Sequence, residues 1–174
     1  SCPGNCSLTQ RAFACKIVIV RGYKTDWREN CMQMPIFEKY IDELIEKSTL
    51  DIPAWNIEKA KEGKAVGWNY IDGCMILALL EIYQATGEQK YYEFADAFID
   101  HRVNEDGTIK GYSVEEYNID NVNAGKTLFA LYALNGKEKY RRAIDLIYSQ
   151  VQNQPRTPEG NFWHKKIYPN QVWL

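Results

Sequence analysis

Leu79–Tyr91 reads LLEIYQATGEQKY, and this stretch decides the fold because a related stretch, LFALYALNGKEKY, occurs at Leu128–Tyr140. The two copies lie 49 residues apart and align without gaps. In each copy an apolar run ends at a glycine, a common helix C-terminus, and a Lys-Tyr pair starts three residues later. Two-helix repeats of about 35 to 50 residues are typical of stacked helical hairpins. The repeat therefore predicts an all-α fold built from hairpins.

Amphipathic patterns on both sides of the repeat extend the helical prediction to most of the chain after Pro35. Five helices are expected, from Pro35 to about Ile45, Tyr70 to Thr86, Lys90 to Arg102, Asn121 to Leu134 and Lys139 to Val151. The predicted loops include residues 49–64 and a long loop that opens at Pro155. We therefore expect one leading helix and two hairpins, a partial array that leaves an apolar face uncovered at its end.

The first 33 residues differ from the rest, because they lack the helical period and contain turn-like and short β-type runs. We interpret residues 1–33 as an atypical segment outside the fold and residues 34–174 as the helical domain. The apolar run Ile17–Val20 is too short to span a membrane and lacks the pattern of a signal peptide. The five cysteines include no second Cys/His pair at zinc-site spacing. We therefore expect no metal, no disulfide scaffold and a cytoplasmic location.

The composition excludes some classes of function and favours others. The 174 residues suffice for one ordinary domain, 45% of them are apolar, and the net charge is −2. No basic block is longer than two consecutive residues, so a nucleic-acid partner is not expected. Twelve tyrosines and five tryptophans exceed the needs of a core of this size. They are as consistent with a carbohydrate-binding cleft as with additional core packing.

Polar and aromatic residues cluster at three places, each just before a predicted helix or in a loop between hairpins. The first cluster is Gly67–Gly73, where Trp68 and Tyr70 could form an aromatic wall for a sugar ring. The alternative is that both side chains pack the start of a buried helix.

The second cluster is Tyr117–Lys126, and its central residue is Asp120. An aspartate at the start of a helix is explained by N-capping and by the helix dipole. However, the segment holds more polar side chains than one cap requires, among them Asn121, so a functional carboxylate is the other interpretation.

The third cluster is the aromatic loop from Pro155 to Leu174, which contains His164 between Trp163 and Trp173. A loop of this length and aromatic content is often functional. A histidine in such a loop is a candidate ligand contact, although many loop histidines are only surface residues. The sequence contains no glycine-rich phosphate loop and no Ser/His/Asp order, which argues against nucleotide binding and a serine-hydrolase triad. Acid/base chemistry by carboxylates on a sugar is the type of reaction that remains.

Together the three clusters resemble the bacterial unsaturated glucuronyl and rhamnogalacturonyl hydrolases, glycoside hydrolase families 88 and 105. The resemblance covers the chain from about residue 35 to its end, and its most specific part is the run from Pro155 to Leu174. It implies an (α/α)6 toroid of six helical hairpins, of which about two and a half are present. It also implies release of a 4,5-unsaturated uronic acid from the non-reducing end of pectin-derived oligosaccharides, by hydration of the double bond and without a cofactor.

Residue by residue, the resemblance assigns Asp120 as an active-site carboxylate that orients the substrate. Asn121, His164 and Trp173 match substrate-contacting positions, and Trp68 and Tyr70 match the aromatic wall. The general acid and base of the family is an aspartate that directly follows the Trp-Leu pair, whereas the sequence stops at Leu174. We therefore expect an N-terminal fragment that is inactive alone.

Two other functions are compatible with the helical repeat. One is an interaction module whose aromatic loop binds a protein partner instead of a sugar. The other is a different hairpin-toroid sugar enzyme, such as an epimerase. Binding of an unsaturated uronyl disaccharide separates the first of these from the hydrolase.

Overall fold

The computed structural model describes residues 35–172, and all regular elements in this range are helical. The α-helices are α1 (Pro35–Glu46), α2 (Ile57–Glu62), α3 (Tyr70–Thr86), α4 (Gln89–Asp100), α5 (Ile119–Ala124), α6 (Lys126–Asn135) and α7 (Glu138–Asn153), with a 3₁₀ helix at Val114–Glu116. Two predictions concern residues outside this range: the atypical segment 1–33 and the substrate contact of Trp173. The all-α class predicted from the repeat is confirmed.

Each copy of the repeat forms one helical hairpin. In the first, α3 ends at Gly87, whose φ of 78° is in the left-handed region and whose N–H donates to the Tyr83 carbonyl at 2.8 Å. In the second, α6 ends at Gly136 with a φ of 67° and the same bond to Tyr132, also 2.8 Å long. Glycine adopts this conformation without the steric penalty of a Cβ atom, so both hairpins turn at the glycine that the repeat conserves.

The Lys-Tyr pair of each copy connects its hairpin to the preceding outer helix. Tyr91 donates its hydroxyl hydrogen to Asp42 of α1 at 3.1 Å, and Tyr140 donates to Asp96 of α4 at 2.7 Å. Both tyrosine rings are fully buried, while the carboxylates lie nearer the surface. The same side chain therefore performs the same packing role twice, which explains why the repeat retains it.

The structure differs from the predicted helices at two places. A short helix, α2, lies inside the expected loop 49–64 and ends at Gly63 with a φ of 62°. The single helix expected at 121–134 is divided at Gly125 into α5 and α6. At the division Gly125 and Leu128 form i→i−3 hydrogen bonds, which tighten the chain into a 3₁₀-like turn. The division makes α5, which carries Asp120, a separate helix of six residues.

The core lies between α3 and the helices α4, α5 and α6, and between α6 and α7. The first turn of α3 and the C-terminal end of α5 approach closely at Gly73, where a Cβ atom would lie 2.5 Å from the Cα of Ala124, the last residue of α5. Only a residue without a side chain permits this approach. The glycine therefore allows α3 and α5, which carry residues of the first two polar clusters, to pack closely. None of the helices in residues 35–172 is long and apolar enough to cross a membrane.

Candidate active site

Asp120 lies in the first turn of α5, but it does not cap the helix. The N-cap is Asn118, whose side-chain oxygen accepts a hydrogen bond from the Asp120 backbone N–H at 3.1 Å. Because the cap is provided by Asn118, the Asp120 carboxylate is available for other contacts. The interpretation of Asp120 as an N-cap is therefore wrong.

The carboxylate of Asp120 contacts two residues of the aromatic loop. Its Oδ2 atom lies 3.0 Å from His164 Nε2 and 3.2 Å from Lys165 Nζ. The His164 ring is buried, whereas Asp120 and Lys165 are partly exposed. Its Oδ1 atom accepts no hydrogen bond from the described part of the chain, so this oxygen can accept one from a ligand hydroxyl.

The loop that carries His164 is shaped by local hydrogen bonds. Trp163 donates its backbone N–H to the Pro155 carbonyl at 2.8 Å, and Arg156 and Phe162 form an isolated antiparallel bridge. Gly160 makes the turn between them with a φ of 91°. The His164 carbonyl then accepts the backbone N–H of Ile119 at 3.0 Å, so the loop is bonded directly to the start of α5.

Electrostatics keep the Asp120 carboxylate ionised. Partial burial opposes ionisation, but the hydrogen bonds from His164 and Lys165 outweigh it and lower the pKa of Asp120 below its usual value. At neutral pH the group therefore accepts hydrogen bonds and cannot donate a proton. This property suits a residue that holds a substrate hydroxyl, and it does not suit a general acid.

Trp68 is part of the core. Only 5% of its surface is exposed, and its indole N–H donates to the Asn121 carbonyl at 2.8 Å. The ring therefore supports the first turn of α5 from within the protein. Asn121 is itself buried next to Asp120. Within residues 35–172 the position of Trp68 matches the core-packing alternative, and its predicted contact with a sugar stays a prediction.

Tyr70 is about half exposed at the first position of α3. No hydrogen bond or ring contact among the described residues connects it to Asp120 or His164. Its predicted role in an aromatic wall therefore stays a prediction. The described structure thus brings together Asp120 with His164, and Trp68 with Asn121.

A buried ion pair lies beside Trp68. Arg102 Nη2 is 3.9 Å from Asp72 Oδ2, and both side chains are about 95% buried. Asp72 also accepts hydrogen bonds from Trp55 and Asn69, each 2.8 Å long. Burial is the largest influence on this carboxyl and raises the pKa of Asp72. A cavity of about 10 Å³, the size of one water molecule, lies between the pair and the Trp68 ring.

Sequence reasoning missed the residues that support this site from α7. Gln150 and Gln154 are buried, and their side-chain amides donate to backbone carbonyls next to both Asp120 and His164. Their spacing offered a signal, because Tyr140, Ala143, Ile147, Gln150 and Gln154 follow each other at intervals of three and four residues. A polar side chain on the buried face of a helix indicates a specific hydrogen-bonding role.

Comparison with known proteins identifies similar sequences and a similar structure. The model of Glycosyl Hydrolase Family 88 matches residues 40–174. A solved structure of a glycoside hydrolase from family 105 of C. acetobutylicum ATCC 824 is 39% identical to this chain, with a TM-score of 0.66. The match covers 79% of this chain and 35% of that one, so the chain spans about a third of the length of that enzyme.

Proposed function

Because the chain belongs to Glycosyl Hydrolase Family 88, we propose that it acts as a glycoside hydrolase of the unsaturated rhamnogalacturonyl hydrolase type. The proposed reaction releases a 4,5-unsaturated uronic acid from the non-reducing end of pectin-derived oligosaccharides. The observation that supports this proposal best is the contact of Asp120 with His164. The ionised carboxylate of Asp120 meets a histidine that lies 44 positions later in the sequence. Both are residues that the resemblance to this family selects.

The proposed chemistry is the hydration of an enol ether. An acid transfers a proton to ring carbon four, and the oxygen of a water molecule adds to carbon five. One proton of that water passes to the conjugate base of the acid, and the other stays in the new hydroxyl group. The resulting hemiketal opens and releases the adjoining sugar. The step consumes one water and needs no oxidant or metal.

Asp120 has a binding role in this proposal. Its Oδ2 atom is occupied by His164 and Lys165, which leaves Oδ1 to accept a hydrogen bond from a sugar hydroxyl. The lowered pKa keeps the carboxylate ionised, and hydrogen bonds to an ionised acceptor are stronger than neutral ones. Asp120 therefore orients the unsaturated ring, while proton transfer belongs to another carboxyl group.

The test uses an unsaturated galacturonosyl-rhamnose disaccharide with the full-length protein that contains residues 40–174. We expect loss of the absorbance of the double bond and release of rhamnose, with the saturated disaccharide as an unreactive control. Asp120→Asn should reduce kcat/KM about 10- to 100-fold, because a hydrogen bond to a charged group contributes about 1.5–3 kcal/mol. Asp106→Asn, in the exposed turn before Gly107, is the matched control and should leave kcat/KM unchanged.

Two outcomes would overturn the proposal. Equal turnover of the saturated disaccharide would indicate displacement at the anomeric carbon, as in an ordinary glycosidase. Absence of both turnover and calorimetric binding of the uronate, with binding of a protein partner instead, would favour the interaction module. Unchanged kinetics in Asp120→Asn would remove Asp120 from the site.

A further inference from the structure

Two glutamines at the C-terminal end of α7 are buried although their side chains are polar. Gln150 in the last turn is fully buried, and Gln154, the C-cap residue that directly follows the helix, is 4% exposed. Gln150 Nε2 donates to Gln154 Oε1 at 3.0 Å, and Gln150 Oε1 accepts the hydroxyl hydrogen of Tyr112 at 2.6 Å. The two amides therefore form a connected chain of hydrogen bonds inside the protein.

The other N–H groups of the pair point at the backbone that carries the site. Gln154 Nε2 donates to the carbonyl of Tyr117 and to the carbonyl of Trp163, both at 2.8 Å. Gln150 Nε2 donates to the carbonyl of Asn118 at 3.1 Å. The carbonyls of Tyr117 and Asn118 lie just before Asp120 in the chain. The carbonyl of Trp163 belongs to the peptide that connects to His164. One side chain, Gln154, thus bridges the two segments.

The orientation of both amides follows from their partners. Rotating the Gln154 amide by 180° would place its oxygen against two carbonyl oxygens, which cannot donate a hydrogen bond. All four N–H groups of the pair are used in the observed orientation. A methionine or leucine would fill this volume without burying polar atoms, so general core packing does not require glutamine here.

From this geometry we propose that Gln150 and Gln154 are positioning residues, which set the separation of Asp120 and His164 by holding the backbone on both sides of their contact. The inference rests on the proposed function for its catalytic consequence only. The backbone bond from Ile119 to His164 ties the segments at one point. The glutamines add three hydrogen bonds from the C-terminal end of α7. These bonds restrict rotation of the two backbone segments about the Ile119–His164 hydrogen bond.

The direct test is Gln154→Met, which keeps the length of the side chain but removes both donors. Gln152→Met is the matched control, because Gln152 is exposed on the same helix. We follow the Asp120 carboxyl by NMR during a pH titration and measure kcat and KM with the unsaturated disaccharide. In Gln154→Met the Asp120 pKa should rise as the contact with His164 loosens, and kcat/KM should fall about tenfold, while Gln152→Met changes neither.

A purely structural role predicts a different result. In that case Gln154→Met would lower the unfolding temperature and leave the Asp120 titration and the kinetic constants of the remaining folded protein unchanged, which would overturn the proposal. If Gln154→Met does not fold, Gln150→Met provides the same readouts with the loss of only the Asn118 bond to the site backbone. If the full-length wild type shows no turnover, the proposed function fails, yet the NMR titration still tests the positioning role.

Discussion

At the scale of single residues, the site depends on the Asp120 carboxylate, which residues of the aromatic loop keep ionised. Asp120 meets His164 and Lys165 through one oxygen atom, at 3.0 and 3.2 Å. The pKa of Asp120 is lowered, because these hydrogen bonds outweigh the effect of partial burial. Its ionised form therefore stabilises the folded state above about pH 4, the ordinary value for aspartate, and this contribution is lost as the pH falls through the folded pKa.

The first prediction concerns His164→Leu, which removes the ring nitrogen that contacts Asp120. We expect the Asp120 pKa to rise towards its ordinary value and the free energy of unfolding at pH 7 to fall by about 1 kcal/mol, a hydrogen bond to a charged group discounted for partial exposure. The carboxyl carbon of Asp120, observed by NMR between pH 2 and 7, provides the measurement.

The control for this prediction is the other histidine. His101→Leu removes a contact of 2.8 Å with Asp51 on the surface and should raise the pKa of Asp51 without affecting Asp120. An unchanged Asp120 titration in His164→Leu would show that Lys165 alone keeps the pKa of Asp120 low.

At the scale of elements, a buried tyrosine connects each hairpin to the helix before it. Burial and the hydrogen bond to Asp96 both raise the pKa of Tyr140. A raised folded pKa means that the neutral tyrosine stabilises the folded state fully below about pH 10, the value in the unfolded chain. This contribution is lost as the pH rises further, because Tyr140 then ionises in the unfolded chain but stays neutral in the folded protein.

The second prediction is that Tyr140→Phe lowers the free energy of unfolding by about 1.5–3 kcal/mol at pH 7, since the hydroxyl donates to a carboxylate. The loss should become smaller between pH 10 and 11, as the wild type loses the contribution described above. Urea unfolding at several pH values measures both effects.

Tyr132→Phe is the matched control, because the Tyr132 hydroxyl makes only a long contact of 3.4 Å with Glu138, and it should change the free energy of unfolding by less than about 0.5 kcal/mol. A Tyr140→Phe loss that does not depend on pH would contradict the assignment.

The helix boundaries show where sequence patterns were sufficient and where they were not. The ends of α3 and α6 were predicted correctly, because Gly87 and Gly136 mark them through local backbone geometry. The division of α5 from α6 at Gly125 was missed, because the apolar period continues across it. There a Cβ atom on Gly125 would lie 2.8 Å from the side chain of Ile147 on α7, a close approach between residues 22 positions apart that no local pattern shows.

At the scale of the whole molecule, Arg102 joins parts of the chain that are far apart in sequence. Its Nη1 donates to the carbonyl of Leu50 at 2.7 Å and to that of Phe98 at 3.1 Å, and its guanidinium stacks on the Phe98 ring. Through Asp72 it also reaches the start of α3. Its Nε and Nη2 atoms have no hydrogen-bond partner among the described residues, so the pair is retained at some cost in desolvation.

The third prediction is that Arg102→Met destabilises the fold by about 3–5 kcal/mol at pH 7, because it leaves the buried Asp72 carboxylate without its counter-charge. The pKa of Asp72 is already raised by burial, so loss of Arg102 raises it further. Protonation at lower pH then removes the unpaired charge, and the penalty should shrink towards pH 4. The double variant Arg102→Met/Asp72→Asn should recover part of the loss at pH 7. Equal penalties at both pH values would show that Arg102 acts through packing alone.

The sequence by itself determined the all-α class and the two hairpins, and its family resemblance singled out Asp120 and His164, whereas the contact of Lys165 with Asp120 was not predicted. These features depend on local signals, namely the helical period, the glycines at helix ends and a motif run whose residue types are specific. Tertiary structure alone decided that Trp68 lies in the core, that Asn118 caps α5 in place of Asp120, and that Gln150 and Gln154 hold the site backbone. The physical reason is that burial and hydrogen-bond partners are set by segments 32 to 53 residues apart, and no local pattern states which of them come into contact.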